Sequence, residues 1–514
     1  MDEIALVVNV LERGWSTLLF QPLSHAQIGP VGFLFLEKAS VLLAGSGELA
    51  FRVLPYVMSL AGLILFWRVA RRFLTTPAML AALTVFAVSP TLILYAGTAK
   101  QYSGDVAITL FLLLMTLRFL DRPPSLAGAA GLGIAGAAAL LLSYPAVLIA
   151  FGLGTLLLVE GCRGRTRMLP LLVVLAGWFV GAAVSSWVSL STLSPETGEY
   201  MQSGWKEGWV SAGPEALLWI PVRLGTILTF STIGIHPPLE SWPRIGIVAL
   251  CTLLPPLGFA RLFRIDRRTA LVLAIPLIIA LAALLVRLLP LAGRVSLFLA
   301  PVLLVGFFAG LDEIRAWVPS GLRGKSHGVL LGLATLPAIV GLALQPPPIT
   351  QGGTRVVLED VGARWRPGDR LIVARGRWTF RLVDYYAARL GIDEWTPMDR
   401  LEGAHRPEVV LRSYLRRIDA YRGMPRIWFH LEGTTPCEEE AILGYLEAIG
   451  ERRHSIAAHL EWGHRISGYL YDLSRPAGLR SATAGGYPLP DCPLATGLAD
   501  VTSDAGKLQG SRSK

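Results

Sequence analysis

The first residues able to do chemistry are Asp2 and Glu3, adjacent carboxylates at the head of the apolar run IALVVNVL. Two further polar constellations interrupt long apolar stretches. One is YAGTAKQYSGD, from Tyr95 to Asp105, with Lys100 at its centre; the other is Gly293-Arg294. A carboxylate can take the proton of an attacking hydroxyl, and cations can hold negative charge as it gathers on phosphate oxygens. Collected at one membrane face, they would fit a reaction on a phosphate-bearing lipid. A sugar joined to a polyprenyl phosphate already has a good leaving group, because the departing phosphate is a weak base. Such a donor needs no general acid, and a base on the opposite face gives inversion. Each constellation also has a plain structural reading. Asp2 and Glu3 would be a charged chain end, and Lys100 and Arg294 interfacial anchors.

The elements that must position these groups are membrane helices. Of 514 residues 53% are hydrophobic and 16% charged, and the apolar residues come in runs close to the roughly 20 needed to cross a bilayer. A soluble multidomain protein is excluded. The excess of Lys and Arg, 47 against 37 acidic residues, would suggest nucleic acid in a soluble chain. Here it lies largely in short loops and sets orientation instead, so no nucleic-acid partner is expected. Cys437 and Cys492 could bridge in an oxidising compartment. No zinc-type spacing occurs, and His236 and Glu240 match a metal site only loosely, so no metal and no cofactor is expected.

In chain order, residues 1–47 form a first loop with interfacial helices, and residues 48–345 a bundle of about ten helices. The expected spans are 48–67, 77–95, 102–120, two short helices within 127–160 broken at Ser143-Tyr144-Pro145, 169–190, 245–263, 271–289, 295–310 and 329–344. Leu217 to Phe230, interrupted by Pro221 and Arg223, suggests a re-entrant segment. With the arginine clusters at 68–72, 118–122, 163–167, 261–268 and 315–325 inside, Lys100, Arg294, the first loop and the C-terminal domain face outside. The first loop then lacks a preceding helix to carry it across, which predicts a start codon upstream of Met1 and one further N-terminal span. Residues 350–474 alternate strands (RLIVAR, RIWFHLEG, HRISGYLYDLS) with helices (TFRLVDYYAARLG, EEEAILGYLEAIG), an α/β pattern. Residues 475–514, rich in Gly, Ser, Ala and Pro, are expected to be disordered. The fold class is an all-α polytopic transmembrane bundle with a small C-terminal α/β domain.

Several stretches together resemble the polytopic glycosyltransferases of the C-type fold, the superfamily of protein O-mannosyltransferases and aminoarabinose-lipid A transferases, in its bacterial branch. They are DEIALVVNVLERGWSTLLFQPLSHAQIGPVGFLFLEK, GELAFRVLPYVMSLAGLILFWRVARRF, SPTLILYAGTAKQYSGDVA, LLLSYPAVLIAFG and AGRVSLFLAPVLL, with WRPGDRL and YLYDLS further on. The resemblance runs from the first residue to about Ser474. It implies an enzyme of the plasma membrane and cell envelope that moves a sugar from a polyprenyl-phosphate donor to a hydroxyl on a lipid, glycan or protein, outside the cytoplasm. It implies Asp2 as catalytic base with Glu3 beside it, and Lys100, Arg294 and Tyr102 at the donor phosphate. His25, Gln27, Glu37, Tyr95 and Asp105 become cavity candidates. Thr98 stands where many relatives carry an acidic residue. In the C-terminal domain no nucleophile or phosphate loop is visible, and acceptor contact or cavity cover is its expected role.

The rival reading is a secondary transporter, or a flippase for lipid-linked intermediates. It predicts paired repeats, broken helices and charges at the bilayer midplane, whereas here the charges sit at the ends of spans and no repeat is visible.

Overall fold

The computed structural model describes residues 2–24, 27–195, 197, 198, 205, 208–210, 213–233, 242–319, 321, 323–344, 353–374, 377–398, 407–432, 434, 436–459, 465–474, 483, 484 and 486–489. His25, His236, Glu240, Cys492 and residues 490–514, on which the sequence raised expectations, lie outside them. The chain divides into two compact units, Leu6–Ile349 and Thr350–Lys514 with Met1–Ala5.

The larger unit is helical throughout. Among the described residues eight helices are long and apolar enough to cross a membrane, nine if one bent pair counts as a single span; the chain is a multi-pass membrane protein. Those named below are α1 (Asp2–Glu12), α2 (Trp15–Phe20), α3 (Val31–Ala44), α4 (Glu48–Phe73), α5 (Thr76–Val88), α6 (Pro90–Ala96), α7 (Tyr102–Asp121), α8 (Leu126–Leu140), α9 (Tyr144–Cys162), α10 (Met168–Ser191), α11 (Ala216–Ile233), α12 (Trp242–Ile265), α13 (Arg267–Leu285), α14 (Ala300–Trp317) and α15 (Arg323–Leu344). The helix break expected at Ser143-Tyr144-Pro145 falls between α8 and α9.

Three segments differ from the sequence reading. The expected span 77–95 is α5 and α6, bent by 52° where Pro90 begins a new helix capped by Ser89 Oγ. Proline lacks the N–H and clashes with the preceding turn, so the axis turns there. Conversely, Pro221 does not interrupt the segment at 217–230: α11 runs unbroken from Ala216 to Ile233. Pro221 sits in the second turn, where little of the ladder precedes it, and Arg223 bends its head to the carbonyl of Leu291. In the first loop, α1 does not keep one wet face, because Leu6, Val7, Asn9 and Val10 are buried.

Small residues allow the closest helix crossings. A Cβ on Gly258 of α12 would stand 1.8 Å from the carbonyl oxygen of Gly306 in α14, and Gly177 of α10 meets Gly133 of α8 as closely as backbones can approach. At the arginine-rich ends, buried acids gather the cations. Glu160 faces Arg163, Arg165 and Arg268, and Glu313 faces Arg261 and Arg264. Asp312 takes the Thr75 N–H and hydroxyl at 3.1 and 2.7 Å and so fixes the turn into α5.

The smaller unit is a five-stranded sheet between helices. Its strands are β1 (Arg370–Ala374), β2 (Trp395–Met398), β3 (Ile427–Glu432), β4 (Glu451–His459) and β5 (Arg465–Asp472), in the order β2-β1-β3-β5-β4. The first three run parallel, β5 lies antiparallel beside β3, and β4 lies antiparallel to β5. Helices α16 (Thr354–Arg364) and α17 (Arg377–Leu390) cover one face, and α18 (Pro407–Asp419) and α19 (Pro436–Ile449) the other. Strand alternation sorts the side chains. Leu371, Val373 and Trp428 face α16 and α17, while Ile372, Phe429 and Leu431 face α18 and α19. The α/β pattern read from the sequence is the fold found. Within the stretch after 475, Ala484 and Tyr487 pack beside Tyr445 and both carbonyls accept from Arg412. Cys437 is disulfide-bonded, and Cys162 and Cys251 are free thiols.

Candidate functional site

The turn between α6 and α7 is pinned from both sides. Gly97 N–H closes α6 on the carbonyls of Ile93 and Leu94, and Thr98 Oγ1 donates to Leu94 O at 2.7 Å. From the other side Ser103 Oγ donates to Tyr95 O at 2.7 Å. A turn so tied sets the direction of Lys100, whose side chain has the longest reach in it. The ammonium donates to Gln27 Oε1 at 2.5 Å, and the two residues are 5% and 6% exposed. Gln27 is placed in turn by the start of α3. There Gly32 N–H bonds to Leu141 O at 2.8 Å, with the backbones too close for any side chain at position 32.

Arg294 reaches the same place from another element. It follows Gly293 in a 3₁₀ helix, Gly293–Leu299. Gly293 has φ +35°, which side chains disfavour. Ala292 N–H bonds to Ser296 Oγ at 3.0 Å, Arg223 Nε to Leu291 O at 2.7 Å, and Leu291 N–H to Gly208 O at 2.9 Å. Held in this way, the Arg294 guanidinium lies 5.7 Å from the Tyr102 ring centroid and 5.4 Å from that of Trp205. These distances suit cation–π attraction. Tyr95 meets Tyr102 edge-on at 5.0 Å.

Gln27, Lys100, Tyr102, Tyr95 and Arg294 are thus brought together in the membrane unit. Asp105 is one turn along α7 from Tyr102 and Glu37 is on α3, both buried. Asp2 opens α1, with its side chain outside the described residues, and Glu3 is half-buried beside it. Four contributors had no functional reading in the sequence. Trp205 lies against Arg294. Arg223 looked like an interruption of a helix and in fact ties down the Arg294 segment. Lys38 is buried and donates to Val10 O at 2.7 Å, satisfying the end of α1 as a cation at a helix C-terminus does. Gly293 was named only for its neighbour. A glycine before an arginine between two spans was the one available signal, and it did not distinguish a strained turn from a plain one. Among the described residues no three of His, Cys, Asp or Glu gather as a metal site.

What this arrangement can do is bind an anion. A buried lysine held on Gln27 and an arginine set against Tyr102 and Trp205 lie at the ends of apolar helices, with most of their surface withdrawn from water. Hydrogen bonds to a charged group are about twice as strong as neutral ones, and low dielectric strengthens the attraction further.

No family model matches the chain, and no curated protein matches it. Solved structures do resemble it. Against ArnT from Cupriavidus metallidurans in the apo state the identity is 12%, with 91% of this chain and 92% of that chain covered and a TM-score of 0.43. Against the same protein bound to undecaprenyl phosphate the values are 13%, 91%, 93% and 0.44. Against the Archaeoglobus fulgidus oligosaccharyltransferase in complex with Zn and sulfate they are 12%, 92%, 68% and 0.48.

Proposed function

We propose that the protein is a membrane glycosyltransferase that takes a sugar from a polyprenyl-phosphate carrier and delivers it, with inversion, to a hydroxyl group. The observation that carries this reading is a buried Lys100 held on Gln27, two residues before Tyr102, against whose ring the Arg294 guanidinium lies. In the proposed step the acceptor oxygen forms a bond to the anomeric carbon as the bond from that carbon to the phosphate oxygen breaks. The electron pair goes to the phosphate, where Lys100 and Arg294 hold the charge; the acceptor proton goes to Asp2, with Glu3 beside it. Gln27 keeps the Lys100 ammonium in position. Stabilising charge that appears only as the bond breaks lowers the barrier rather than merely tightening binding.

The reaction is assigned to the extracytoplasmic side of the plasma membrane. Two features support this: the arginine-rich ends of α4, α7, α9 and α12 belong inside by the positive-inside rule, and the bonded state of Cys437 suits an oxidising compartment for its domain. A flippase is the second reading, favoured by the 52° break between α5 and α6 beside the site.

The test uses full-length protein in nanodiscs with undecaprenyl phosphate as the binding probe and a polyprenyl-phosphate sugar as donor. Asp2→Asn should keep binding and lose transfer, by roughly a hundredfold or more for removal of a general base. Lys100→Ala should lose binding. Translocation of the probe at wild-type rate by Asp2→Asn, with no transfer by wild type to any hydroxyl acceptor, would select the flippase.

A further inference from the structure

At the opposite end of α7 lies a second basic site that the proposed chemistry does not use. A cleft of about 500 Å³ opens between the last turns of α4 and α7. Arg68, Arg71 and Arg72 line it from α4, Arg118 and Asp121 from α7, and Leu65, Trp67, Phe111, Leu114 and Leu117 form the rest of its wall. A 20-residue helix separates it from Lys100, roughly 30 Å along the axis.

Its charges are not balanced internally. Arg72 makes a two-pronged pair with Asp121, at 2.7 and 3.0 Å, and also lies near Asp266. Arg71 is stacked at 5.2 Å over Trp67. Among the described residues, Arg68, Arg71 and Arg118 have no carboxylate partner. The contrast with the other basic clusters at this membrane face is sharp, because there Glu160 and Glu313 are buried and gather the arginines onto themselves. Orientation in the membrane requires positive charge but no cleft. Here three unbalanced guanidinium groups share a cavity whose wall turns from basic to apolar along both helices. On α4 the sequence of lining residues is Arg72, Arg68, Leu65; on α7 it is Arg118, Leu114, Phe111.

We propose that this cleft binds the phosphate of an anionic glycerophospholipid, with its acyl chains along Leu65, Phe111 and Leu114. Guanidinium groups bind phosphate oxygens in two-pronged fashion, and basic pockets between helices at this depth attract acidic headgroups. The bound lipid would fasten α4 to α7, the helix that begins at its other end with Tyr102, two residues after Lys100. Nothing in this depends on the sugar chemistry.

Binding of phosphatidylglycerol to the full-length protein, measured by native mass spectrometry and as a rise in melting midpoint, tests it. Wild type and the control Arg163→Gln/Arg165→Gln should bind alike and more tightly than either binds phosphatidylcholine. Arg68→Gln/Arg71→Gln/Arg118→Gln should bind roughly tenfold more weakly or worse. Should that triple variant fail to fold, Arg68→Lys/Arg71→Lys/Arg118→Lys keeps the charge and should still show weakened, salt-sensitive binding. An inorganic phosphate arm separates the sources, since phosphate alone should neither raise the midpoint nor displace the lipid. Unchanged phosphatidylglycerol binding in the glutamine triple variant, equal binding of phosphatidylcholine, or displacement by inorganic phosphate would each overturn the proposal.

Discussion

Arg294 illustrates why the type of cation matters as much as its charge. Its flat guanidinium lies against two rings, Tyr102 and Trp205, whereas an ammonium offers a point charge without a face to stack. Arg294→Lys should therefore weaken undecaprenyl phosphate binding by about 1 kcal/mol, roughly fivefold, with the melting midpoint held within about 2 °C. A titration in nanodiscs checks this, and unchanged affinity would show that charge alone suffices. At this scale the sequence was partly legible. Lys100, Tyr102 and Arg294 stood out because charged and aromatic residues interrupt otherwise apolar chain. Trp205 and Arg223 did not, since their partners are 89 and 68 positions away (294 − 205 and 291 − 223), and no local period records such a pairing. Asp2 stood out as an acid heading an apolar run, but its role as base came only through resemblance.

At the level of the element, the short 3₁₀ helix after Gly293 decides where Arg294 points. Gly293 has φ +35° and its nearest non-local atom to a Cβ would be 4.0 Å away in Phe230. Alanine there meets no steric obstacle and still strains the backbone, by about 1 kcal/mol. Gly293→Ala should reduce donor binding more than it lowers stability, while Gly246→Ala, on α12 with open space around it, should do neither. Parallel binding and melting measurements discriminate the two, and equal losses in both variants would contradict the assignment. Helix existence was easy to read from apolar runs. Helix ends and bends were harder: Ser89-Pro90 breaks its span, whereas Pro221, like Pro255, Pro256 and Pro276 in the middle of their helices, does not, so proline alone does not mark the break. In the α/β unit the missed elements were α16, β2, α18 and β4. Of these, β2 is an edge strand of four residues, too short for alternation to register.

For the molecule as a whole, the smaller unit carries the clearest pH dependence. Burial works against the Asp419 carboxylate, yet bonds from the Tyr445 hydroxyl, the Arg422 guanidinium and the Ala484 N–H hold its pKa below the ordinary range. The same cluster, through burial first and then the bond to Asp419, pushes the Tyr445 hydroxyl up to about 12. A lowered carboxylate pKa means that the folded form binds the proton less readily than the unfolded form. The stability it contributes is complete above the unfolded value of roughly 3.9 and drains away as the pH falls through the lower folded value. Asp419→Asn should flatten the acid limb of the unfolding curve and leave the stretch from neutrality to about pH 9, below the tyrosine range, unchanged. A full-length melt series read by tryptophan fluorescence tests this, and an identical acid limb in the variant would refute it.

The seclusion of α7 has a bearing on how the protein is made. Of the eight spans it is the least apolar, and 83% of it is covered by other parts of the chain. A translocon judging that segment by itself meets a marginal candidate for release into lipid. Its entry into the bilayer should therefore lean on companions already waiting beside it, α4 foremost. A nascent chain truncated soon after α7, with α4 in place, should integrate it; one lacking α4 should let it slip through.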